Sequence, residues 1–553
     1  ISTILKQGGD GEHSGLNKVL TVKDLTFFGI AAILGAGSFS SLGSAVFNGG
    51  PGVVFLFVIV AIACAFTAFC YSEFASRIPV AGSAYTYAYV SFGELFAWII
   101  GWALIMEYSI GNIYVAYSWS DYFTSLLQQC GVNVPAYLST SYMEASKAFQ
   151  GNVQGEALTA WSTASEIGGL KIILDLPALL INLIITYLVY RGVKESKNFS
   201  NLMVWIKMFV VGLIIIVGGI LIFKNNLFAN WTPDNSVGIP SFMPNGFSGV
   251  MMAVSGVFFA YIGFDAVSVM AEESKNPQRD LPRGMIYSLV ICTIVYILLT
   301  LVLTGAANYK AFEGIGDPLA FIFEKGNLDL PWMHFLVAIC AVVAMTSVML
   351  VFQMGQPRIW MTMSRDGLMP KRFSNIHSKF KTPSYATLVT GLVVGLPIIF
   401  TDKTFVLDFT SIGTLFAFVL VCGGVLLIPR REKEAGKFHL PYVNAKFIFP
   451  ALVAFSIFLI VTFVPGFFSE TFDFSGDKMA KNLPMVIFFV LIAVMMVLSF
   501  TKNLSLIPLL GLVSCCYLLT GMAVSNWMWF GVWLVIGLIF YFIYGYKNSK
   551  LNT

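Results

Sequence analysis

Two long apolar stretches of the chain are each interrupted by glycine and small polar residues. The first runs from Phe27 to Ser41 and contains Gly35-Ala36-Gly37-Ser38. A helix that ends at such a break presents free carbonyl groups, and a helix that begins after it presents free N–H groups. The carbonyl end attracts a cation and the N–H end attracts an anion. A break of this kind can therefore hold a ligand that carries both charges.

The second break lies between Phe258 and Ser268 and repeats this arrangement. Its carbonyl end falls near Phe259-Ala260-Tyr261, followed by Gly263 and a new helical start near Phe264. The two breaks together suit a zwitterion, with an α-carboxylate on the Gly35–Ser38 amides. An α-ammonium would lie on the carbonyls near Ile33 and Phe259–Tyr261. The alternative is that these glycines serve only close helix packing.

Among the ionisable residues within the apolar stretches, three stand out: Glu107, Lys207 and Asp265. A charge at mid-bilayer costs about 3 kcal/mol or more, so such residues normally face a cavity or a partner. Lys207 could exchange a proton, act as a fixed cation at the place of a sodium ion, or pair structurally with carbonyls. Glu107 could attract a cationic ligand, or neutralise Lys207 or bond to Tyr or Asn neighbours. Asp265 could complete an acidic pocket with Glu107, or cap its half-helix.

Other chemistries find no support in the sequence. The four histidines, His13, His334, His377 and His439, lie in loops or at the ends of apolar segments, so no histidine relay or metal site is predicted. No nucleophile–base arrangement and no GxxxxGK[ST] nucleotide loop occurs. We therefore expect a protein that is not an enzyme, carries no cofactor and does not bind nucleic acid.

The composition is typical of a polytopic membrane protein. The 553 residues are 57% hydrophobic and 11% charged, whereas soluble domains carry about 25% charged residues. Apolar runs of roughly 20 residues, the length that spans a bilayer, predict fourteen spans. These lie near 24–47, 52–76, 94–126, 172–190, 201–223, 247–272, 284–306, 332–362, 382–400, 404–428, 447–468, 483–501, 504–523 and 527–546. A twelve-span reading stays open, because 382–428 and 483–523 are tight pairs.

The positive charges predict the orientation. Most of the 33 Lys and Arg residues fall in loops on one side, including the clusters 191–197, 358–381 and 430–446. This predicts a multi-pass protein of the cell membrane (plasma or inner membrane) with both termini in the cytoplasm.

The predicted organisation follows from these spans. Residues 1–22 form a cytoplasmic segment, and residues 23–428 form a transport core of two halves with opposite orientation, at about 24–223 and 247–428. A basic cytoplasmic linker at 429–446 precedes four further spans at 447–546 and a cytoplasmic tail at 547–553. Interrupted segments at matching places in two such halves indicate the binding site of a transporter.

Three motifs resemble those of a known superfamily. They are Ser72–Tyr89 (SEFASRIPVAGSAYTYAY), the region Gly263–Pro282 with GFDAVS and AEESKNPQRDLP, and Met363–Pro370 (MSRDGLMP). Together they resemble the amino acid–polyamine–organocation superfamily and, within it, the cationic amino acid transporter branch.

This resemblance implies an all-α LeuT-type fold, with an inverted five-plus-five helix repeat and four extra transmembrane helices. It implies that substrate binds between spans 1, 3, 6, 8 and 10, with Phe259 as an aromatic gate. Glu107 and Asp265 would lie near the substrate side chain. Lys207 would replace the sodium ion and support proton coupling, with Thr346 and Ser347 as neighbours.

Two departures from the family pattern bear on the substrate. Ser38 replaces the usual isoleucine of Gly-Ala-Gly-Ile-Phe, and Ala103 follows Gly101-Trp102 where a polar or charged residue is common. We therefore expect either cationic or small neutral L-amino acids.

The expected activity is secondary active uptake by alternating access, with protons as the coupling ion and the lipid bilayer as surroundings. An uncoupled facilitator, or an amino acid/amine exchanger of the same fold, is the alternative. A small accessory membrane subunit stays an open question. From their inner position and opposite charges, we predict a cytoplasmic gate formed by Glu73, Arg77, Glu272 and Glu273.

Overall fold

The computed structural model describes residues 20–35, 37–77, 83–151, 155–192, 197–235, 238–380, 382–430, 432, 434, 437–463, 466–475 and 478–550. These residues are mostly helical, as expected for apolar segments that must satisfy their own backbone polar groups in lipid. Ala36 of the first break, the first 19 residues, most of the linker at 431–436 and the last three residues of the tail lie outside the described residues.

The described residues of the first part of the chain form nine α-helices and one short hairpin. The helices are α1 (Val22–Ile33), α2 (Leu42–Gly49), α3 (Val53–Arg77), α4 (Ser83–Phe92), α5 (Glu94–Gln129), α6 (Tyr142–Gly151), α7 (Glu156–Thr163), α8 (Leu176–Arg191) and α9 (Lys197–Lys224). A π-helical turn at Gly37–Ser41 lies between α1 and α2. The hairpin pairs β1 (Glu166–Ile167) with β2 (Leu170–Lys171) in antiparallel register.

The second part begins with a broken segment and ends with the appended helices. Its helices are α10 (Gly246–Met252), α11 (Val254–Phe259), α12 (Pro277–Ala306), α13 (Pro318–Phe321), α14 (Pro331–Arg365), α15 (Ser384–Phe400), α16 (Lys403–Leu427), α17 (Ala445–Phe463), α18 (Phe467–Thr471), α19 (Lys478–Lys502), α20 (Leu506–Thr520), α21 (Val524–Phe540) and α22 (Tyr546–Asn548). Short 3-10 helices lie at Gly50–Gly52, Ala136–Leu138, Leu227–Trp231, Phe264–Glu273, Tyr309–Phe312 and Lys371–Ser374, and a π turn at Tyr541–Gly545.

Burial separates a central helix from a periphery. In the most apolar stretch of α5, 89% of the residues are buried, whereas only 11% are buried in that of α17. Helix α5 packs against α14 and α16, and α12 packs against α1 and α3. The helices α17, α19 and α21 instead turn large apolar side chains outward, as a lipid-facing surface requires.

Nine helices among the described residues are long and apolar enough to cross a bilayer, or ten when the bent pair Gly246–Met252 and Val254–Ser268 counts as one span. Three shorter apolar helices, α8, α15 and α20, add to these. Each of the fourteen predicted segments contains a described helix. The number of spans nevertheless stays a prediction, because length and composition alone do not show which of these helices cross the bilayer.

The two broken segments run in opposite directions. Leu20, just before α1, forms a parallel bridge with Ser274, which follows the second broken segment, and the Lys275 N–H donates to the Leu20 carbonyl at 3.0 Å. The start of one segment therefore lies beside the end of the other. Following the predicted orientation, we call this end of the bundle the inner end and the opposite one the outer end.

Candidate transport site

The two breaks are in backbone contact. A Cβ built on Gly37 would lie 2.5 Å from the Cα of Ala260, and one built on Gly263 would lie 3.0 Å from the carbonyl carbon of Ala32. Gly263 also has φ +112°, a conformation that side chains disfavour. Glycine at these two positions allows the helices to cross at their interruptions, so the described residues of the two breaks lie against each other.

Local hydrogen bonds already occupy part of the first break. The Gly35 N–H donates to the Ile33 carbonyl at 2.9 Å, and the Ser38 and Phe39 N–H groups donate to the Gly35 carbonyl at 3.0 and 3.1 Å. The Ser38 hydroxyl also donates to the Gly35 carbonyl, at 2.9 Å. A carboxylate at the predicted amides would therefore have to compete with these contacts. Ala36, which belongs to the same prediction, lies outside the described residues.

A hydroxyl that the sequence analysis did not single out joins the carbonyl ends of both breaks. The Tyr296 hydroxyl of α12 lies 2.9 Å from the Ile33 carbonyl and 2.7 Å from the Ala260 carbonyl. A hydroxyl has one proton, so it donates to only one of them at a time. The structure thus brings together two of the carbonyls that were predicted to bind an ammonium. At any time, only one of them receives a hydrogen bond from Tyr296.

A small cavity lies beside this crossing and is apolar. Its volume is about 10 Å³, which is room for roughly one water molecule. Its lining consists of Ala32, Ile33, Gly35, Gly37, Val115, Phe259, Ile262, Val348 and Phe352. The Phe259 ring packs edge-on against Tyr114 with centroids 4.6 Å apart. An amino acid can bind here only if these side chains move apart.

Tyr261, another predicted site residue, turns its side chain away from the cavity. Its hydroxyl donates to the Phe57 carbonyl at 3.0 Å, and its ring packs against Phe57 and Tyr296. The side chain therefore anchors the second break to α3 and α12.

The two predicted acidic residues form a pair on the inner side of the cavity. Glu107 and Asp265 are 4% and 3% exposed and lie close enough to interact electrostatically. The predicted capping role of Asp265 is not seen: the N-cap of the 3-10 helix Phe264–Glu273 is Gly263, without a side-chain cap hydrogen bond, and Asp265 is the second residue of this helix. Within the described part of the chain, Glu107 Oε2 has no hydrogen-bond partner.

The acidic pair is not at the cavity itself. Val115, which lines the cavity, follows Glu107 by eight residues on α5, a separation of about 12 Å along the helix axis. Glu107 therefore lies about two helical turns from Val115, toward the inner end, whereas its neighbour Tyr108 packs against Phe352 of the lining, with ring centroids 5.6 Å apart.

Lys207 lies in a separate buried place near the first break. It is 1% exposed, and its Nζ donates to the Ser347 hydroxyl at 2.7 Å and lies 3.5 Å from the Ala31 carbonyl. It lines a second cavity of about 10 Å³ with Phe28, Ala31, Met203, Val204, Ser347 and Val351. Lys207 thus links α9 to α14 and to the last turn of α1.

The side chain of Thr346 points away from that of its neighbour Ser347. Its hydroxyl accepts a hydrogen bond from the Trp119 indole at 2.9 Å and donates to the Val342 carbonyl at 2.7 Å. The structure therefore brings Ser347 to Lys207 and Thr346 to α5.

The predicted inner gate residues hold the connection that follows α16. Arg77 Nε lies 2.7 Å from Glu73 Oε1, and the other Glu73 oxygen accepts from the Leu440 N–H at 2.8 Å. Arg77 also donates to the Pro429 carbonyl at 2.7 Å. Glu272 and Glu273 lie in the 3-10 helix Phe264–Glu273, but their side chains are outside the described residues.

Two oppositely directed, broken apolar segments that cross at a buried polar site define a multi-pass membrane transporter, not an enzyme. The chain belongs to the amino acid permease family of the amino acid–polyamine–organocation superfamily, as the motifs indicated. The family profile described as "Amino acid permease" matches residues 20–492, and the one described as "C-terminus of AA_permease" matches residues 504–549.

Three relatives illustrate the range of this family. A branched-chain amino acid permease, BcaP, of Bacillus subtilis (strain 168) is 36% identical over 98% of this chain and 96% of its own length. A methylthioribose transporter of the same organism is 33% identical with the same coverage. Cationic amino acid transporter 3, mitochondrial, of Arabidopsis thaliana is 29% identical over 98% of this chain and 92% of its own length.

Proposed function

We propose that this amino acid permease is a proton-coupled secondary transporter that takes up neutral L-amino acids with apolar side chains by alternating access. We further propose the LeuT-type arrangement, with an inverted repeat in residues 23–428 and four appended spans, in the cell membrane with cytoplasmic termini. The opposite directions of the two broken segments and their crossing at Gly37 and Ala260 support this architecture.

The backbone of the two breaks would hold the part common to all amino acids. The carboxylate would approach the amides of residues 35–38 and would replace the Ile33 and Gly35 carbonyls as the acceptor of the Gly35 and Ser38 N–H groups. The ammonium would lie at the Ile33 and Ala260 carbonyls and take the position of the Tyr296 proton at one of them. Carbonyl and amide dipoles at broken helices favour these charges.

The proposed substrate class rests on the apolar lining of the cavity. Val115, Val348 and Phe352 face the place where a side chain would extend, together with Phe259 and Ile262. Burying an aliphatic side chain there contributes roughly 1.5–3 kcal/mol, whereas a guanidinium or ammonium would lose its hydration. The B. subtilis relative named as a branched-chain amino acid permease fits this preference. We therefore favour neutral apolar substrates over the cationic class that the resemblance suggested.

The proposed coupling residue is Lys207. An ammonium buried beside the last turn of α1 is expensive unless its partners hold it. Movement of α1 away from Ser347 and the Ala31 carbonyl would therefore favour loss of the proton, and closure would favour its return. Proton release would thus accompany the rearrangement of the first break.

Uptake by the purified protein in liposomes tests the proposal. Labelled Leu, Val, Ala, Arg and Lys are offered with and without an inward proton gradient, and methylthioribose is included as a competitor because one relative is named for it. We expect Leu and Val to accumulate above equilibrium only with the gradient. Preferred uptake of Arg or Lys would refute the substrate class. Leu uptake that ignores the gradient would indicate the facilitator or exchanger instead.

A further inference from the structure

Three side chains of metal-binding types meet at the outer end of the bundle, away from the transport site. They are Asp317 and Glu324 from the connection between α12 and α14, and His334 from the first turn of α14. One ligand atom from each lies within 4.8 Å of the others, and all three side chains are half-buried. The sequence analysis predicted no histidine metal site, because nothing in the spacing of these residues shows that the connection folds back on α14.

The distances around His334 do not fit ordinary hydrogen bonds. Its Nε2 lies 3.7 Å from Glu324 Oε1, 3.5 Å from the Ser125 hydroxyl and 3.4 Å from Gln129 Nε2. Protein hydrogen bonds have heavy-atom distances of about 2.7–3.2 Å. Two ligand atoms that share a tetrahedral Zn²⁺ at about 2.0–2.1 Å lie roughly 3.3 Å apart. A separation of 3.7 Å is therefore close to that of two ligands of one ion.

The backbone fixes the positions of the two carboxylates. The Leu328 N–H donates to the Ile322 carbonyl at 3.0 Å, and the Leu330 N–H donates to the Phe323 carbonyl at 2.9 Å, so the turn that carries Glu324 is closed. The Ala320 and Phe321 N–H groups donate to the Asp317 carbonyl, both at 3.0 Å. The backbone segments that carry the two carboxylates are thus fixed beside the start of α14.

The local electrostatics favour a cation. Among the described residues, Glu324 has an ion-pair contact only with His334, at 3.7 Å, whereas the neighbouring Asp121 is paired with Lys403. A dication between Asp317 and Glu324 would offset the negative charge of both carboxylates. An imidazole with two carboxylates is a ligand set suited to Zn²⁺, whereas Mg²⁺ and Ca²⁺ prefer oxygen ligands alone.

We propose that Asp317, Glu324 and His334 bind a divalent transition-metal ion of the Zn²⁺ type, and that the bound ion inhibits transport. Water would occupy the fourth position of the ion, as in zinc sites with three protein ligands. The predicted inhibition follows from the contacts of the residues next to Asp317.

The residues around Asp317 rest on the outer half of the first broken segment. The Gly316 carbonyl accepts from the Ser40 hydroxyl at 3.1 Å. Three residues later, the Leu319 N–H donates to the Tyr122 hydroxyl at 3.3 Å, and that hydroxyl donates to the Phe39 carbonyl. An ion that joins Asp317 to His334 would fix this connection to α14 while the connection rests on residues 39 and 40. Opening of the outer end would require the connection to move away from these residues, and a connection fixed to α14 would resist that movement.

The test combines metal binding with uptake. Titration of Zn²⁺ into the purified protein is followed by calorimetry, with Mg²⁺ as the comparison ion, for the wild type, His334→Ala, Glu324→Gln and the control His377→Ala. His377 lies in the connection at the inner end between α14 and α15. We expect saturable Zn²⁺ binding, weakened at least tenfold in His334→Ala and Glu324→Gln only, and no matching Mg²⁺ binding.

Uptake of the preferred amino acid into cells is then measured with Zn²⁺ outside, and again after a chelator. We expect Zn²⁺ to lower wild-type uptake reversibly, while both site variants transport normally without Zn²⁺ and ignore its addition. Equal Zn²⁺ affinity in all four proteins would overturn the site. Tight binding that leaves uptake unchanged would overturn the inhibitory role. Glu324 is partly exposed, so Glu324→Gln reports on the site even where His334→Ala folds poorly.

Discussion

The backbone of Gly37 touches that of Ala260: a Cβ on Gly37 would lie 2.5 Å from the Ala260 Cα. The contact is secured from a third side, since the Ser41 hydroxyl lies 2.8 Å from the Gly37 carbonyl and 2.9 Å from the Gly256 carbonyl. The two broken segments are therefore fastened to each other at the Gly37–Ala260 contact and, through Ser41, at Gly256 of α11. Any movement that opens the site must change this crossing.

Gly37→Ala tests whether the crossing is required. The added methyl group meets backbone, which cannot rotate away, so the segments must separate at a cost of about 1–3 kcal/mol. We expect uptake to fall at least about tenfold, while the protein still elutes as a monodisperse species. Gly219→Ala in α9 is the control, because a Cβ there has no atom within 4 Å. Wild-type uptake by Gly37→Ala would contradict the assignment.

The sequence predicted the elements of this site better than their contacts. Gly35, Gly37 and Gly263 stand out because glycine and polar residues are conspicuous within apolar runs. Tyr296 does not stand out, because its role depends on α12 lying across both breaks. Likewise, adjacent positions such as Thr346 and Ser347 point to different helices, and no motif specifies which helix lies on which side.

The same limit explains the position of Glu107. Its type and apolar surroundings predicted a buried functional acid, and the side chain is 4% exposed. Its distance from the cavity depends on the depth at which α5 crosses the second break. That depth is set by packing of α5 against α14 and α16 and has no counterpart in the spacing of residues along the chain.

Tyr296→Phe removes the hydroxyl that joins the two carbonyl ends. Both carbonyls are buried, so the loss of their shared donor is expected to cost about 1–3 kcal/mol. We expect a lower melting temperature that substrate partly restores, since the substrate ammonium can replace the donor. Tyr287→Phe on the same helix is the control, as Tyr287 is 50% exposed. Equal melting temperatures for the two variants would show that the hydroxyl has no structural role.

Lys207→Ala should uncouple transport from the proton gradient. Without the buried amine, the proposed proton-carrying group beside α1 is missing. We expect Leu exchange across the membrane to persist while gradient-driven accumulation is lost. Lys224→Ala, at the exposed end of the same helix, should retain both activities. Accumulation that still follows the gradient in Lys207→Ala would assign coupling to another group, of which the Glu107–Asp265 pair is the first to test.

Val348→Ala should change the preferred size of the substrate. Val348 is 2% exposed and lines the cavity, so its truncation leaves space for two methyl groups. One methylene in an apolar pocket is worth roughly 10–200-fold in selectivity. Competition by Phe against Leu uptake should therefore strengthen about tenfold or more. Val343→Ala, at a 38% exposed position of the same helix, should leave the ratio unchanged. A cationic substrate site would instead show no gain for Phe.

Glu73→Gln tests the inner end, where Glu73 holds both Arg77 and the Leu440 N–H. The Glu73 side chain is 3% exposed and that of Arg77 is 15% exposed, so this pair is less screened by water than a surface pair. The amide can still accept from Leu440 but no longer pairs with the guanidinium, at an expected cost of about 1.5–3 kcal/mol.

The exposed pair Lys437–Glu434, with side chains 34% and 51% exposed, supplies the control Glu434→Gln, which should cost about 1 kcal/mol or less. Thermal unfolding in detergent compares the two. Faster uptake by Glu73→Gln than by the wild type would identify the contact as a gate that limits the rate. Lower stability with unchanged uptake would show that the contact only holds the linker in place.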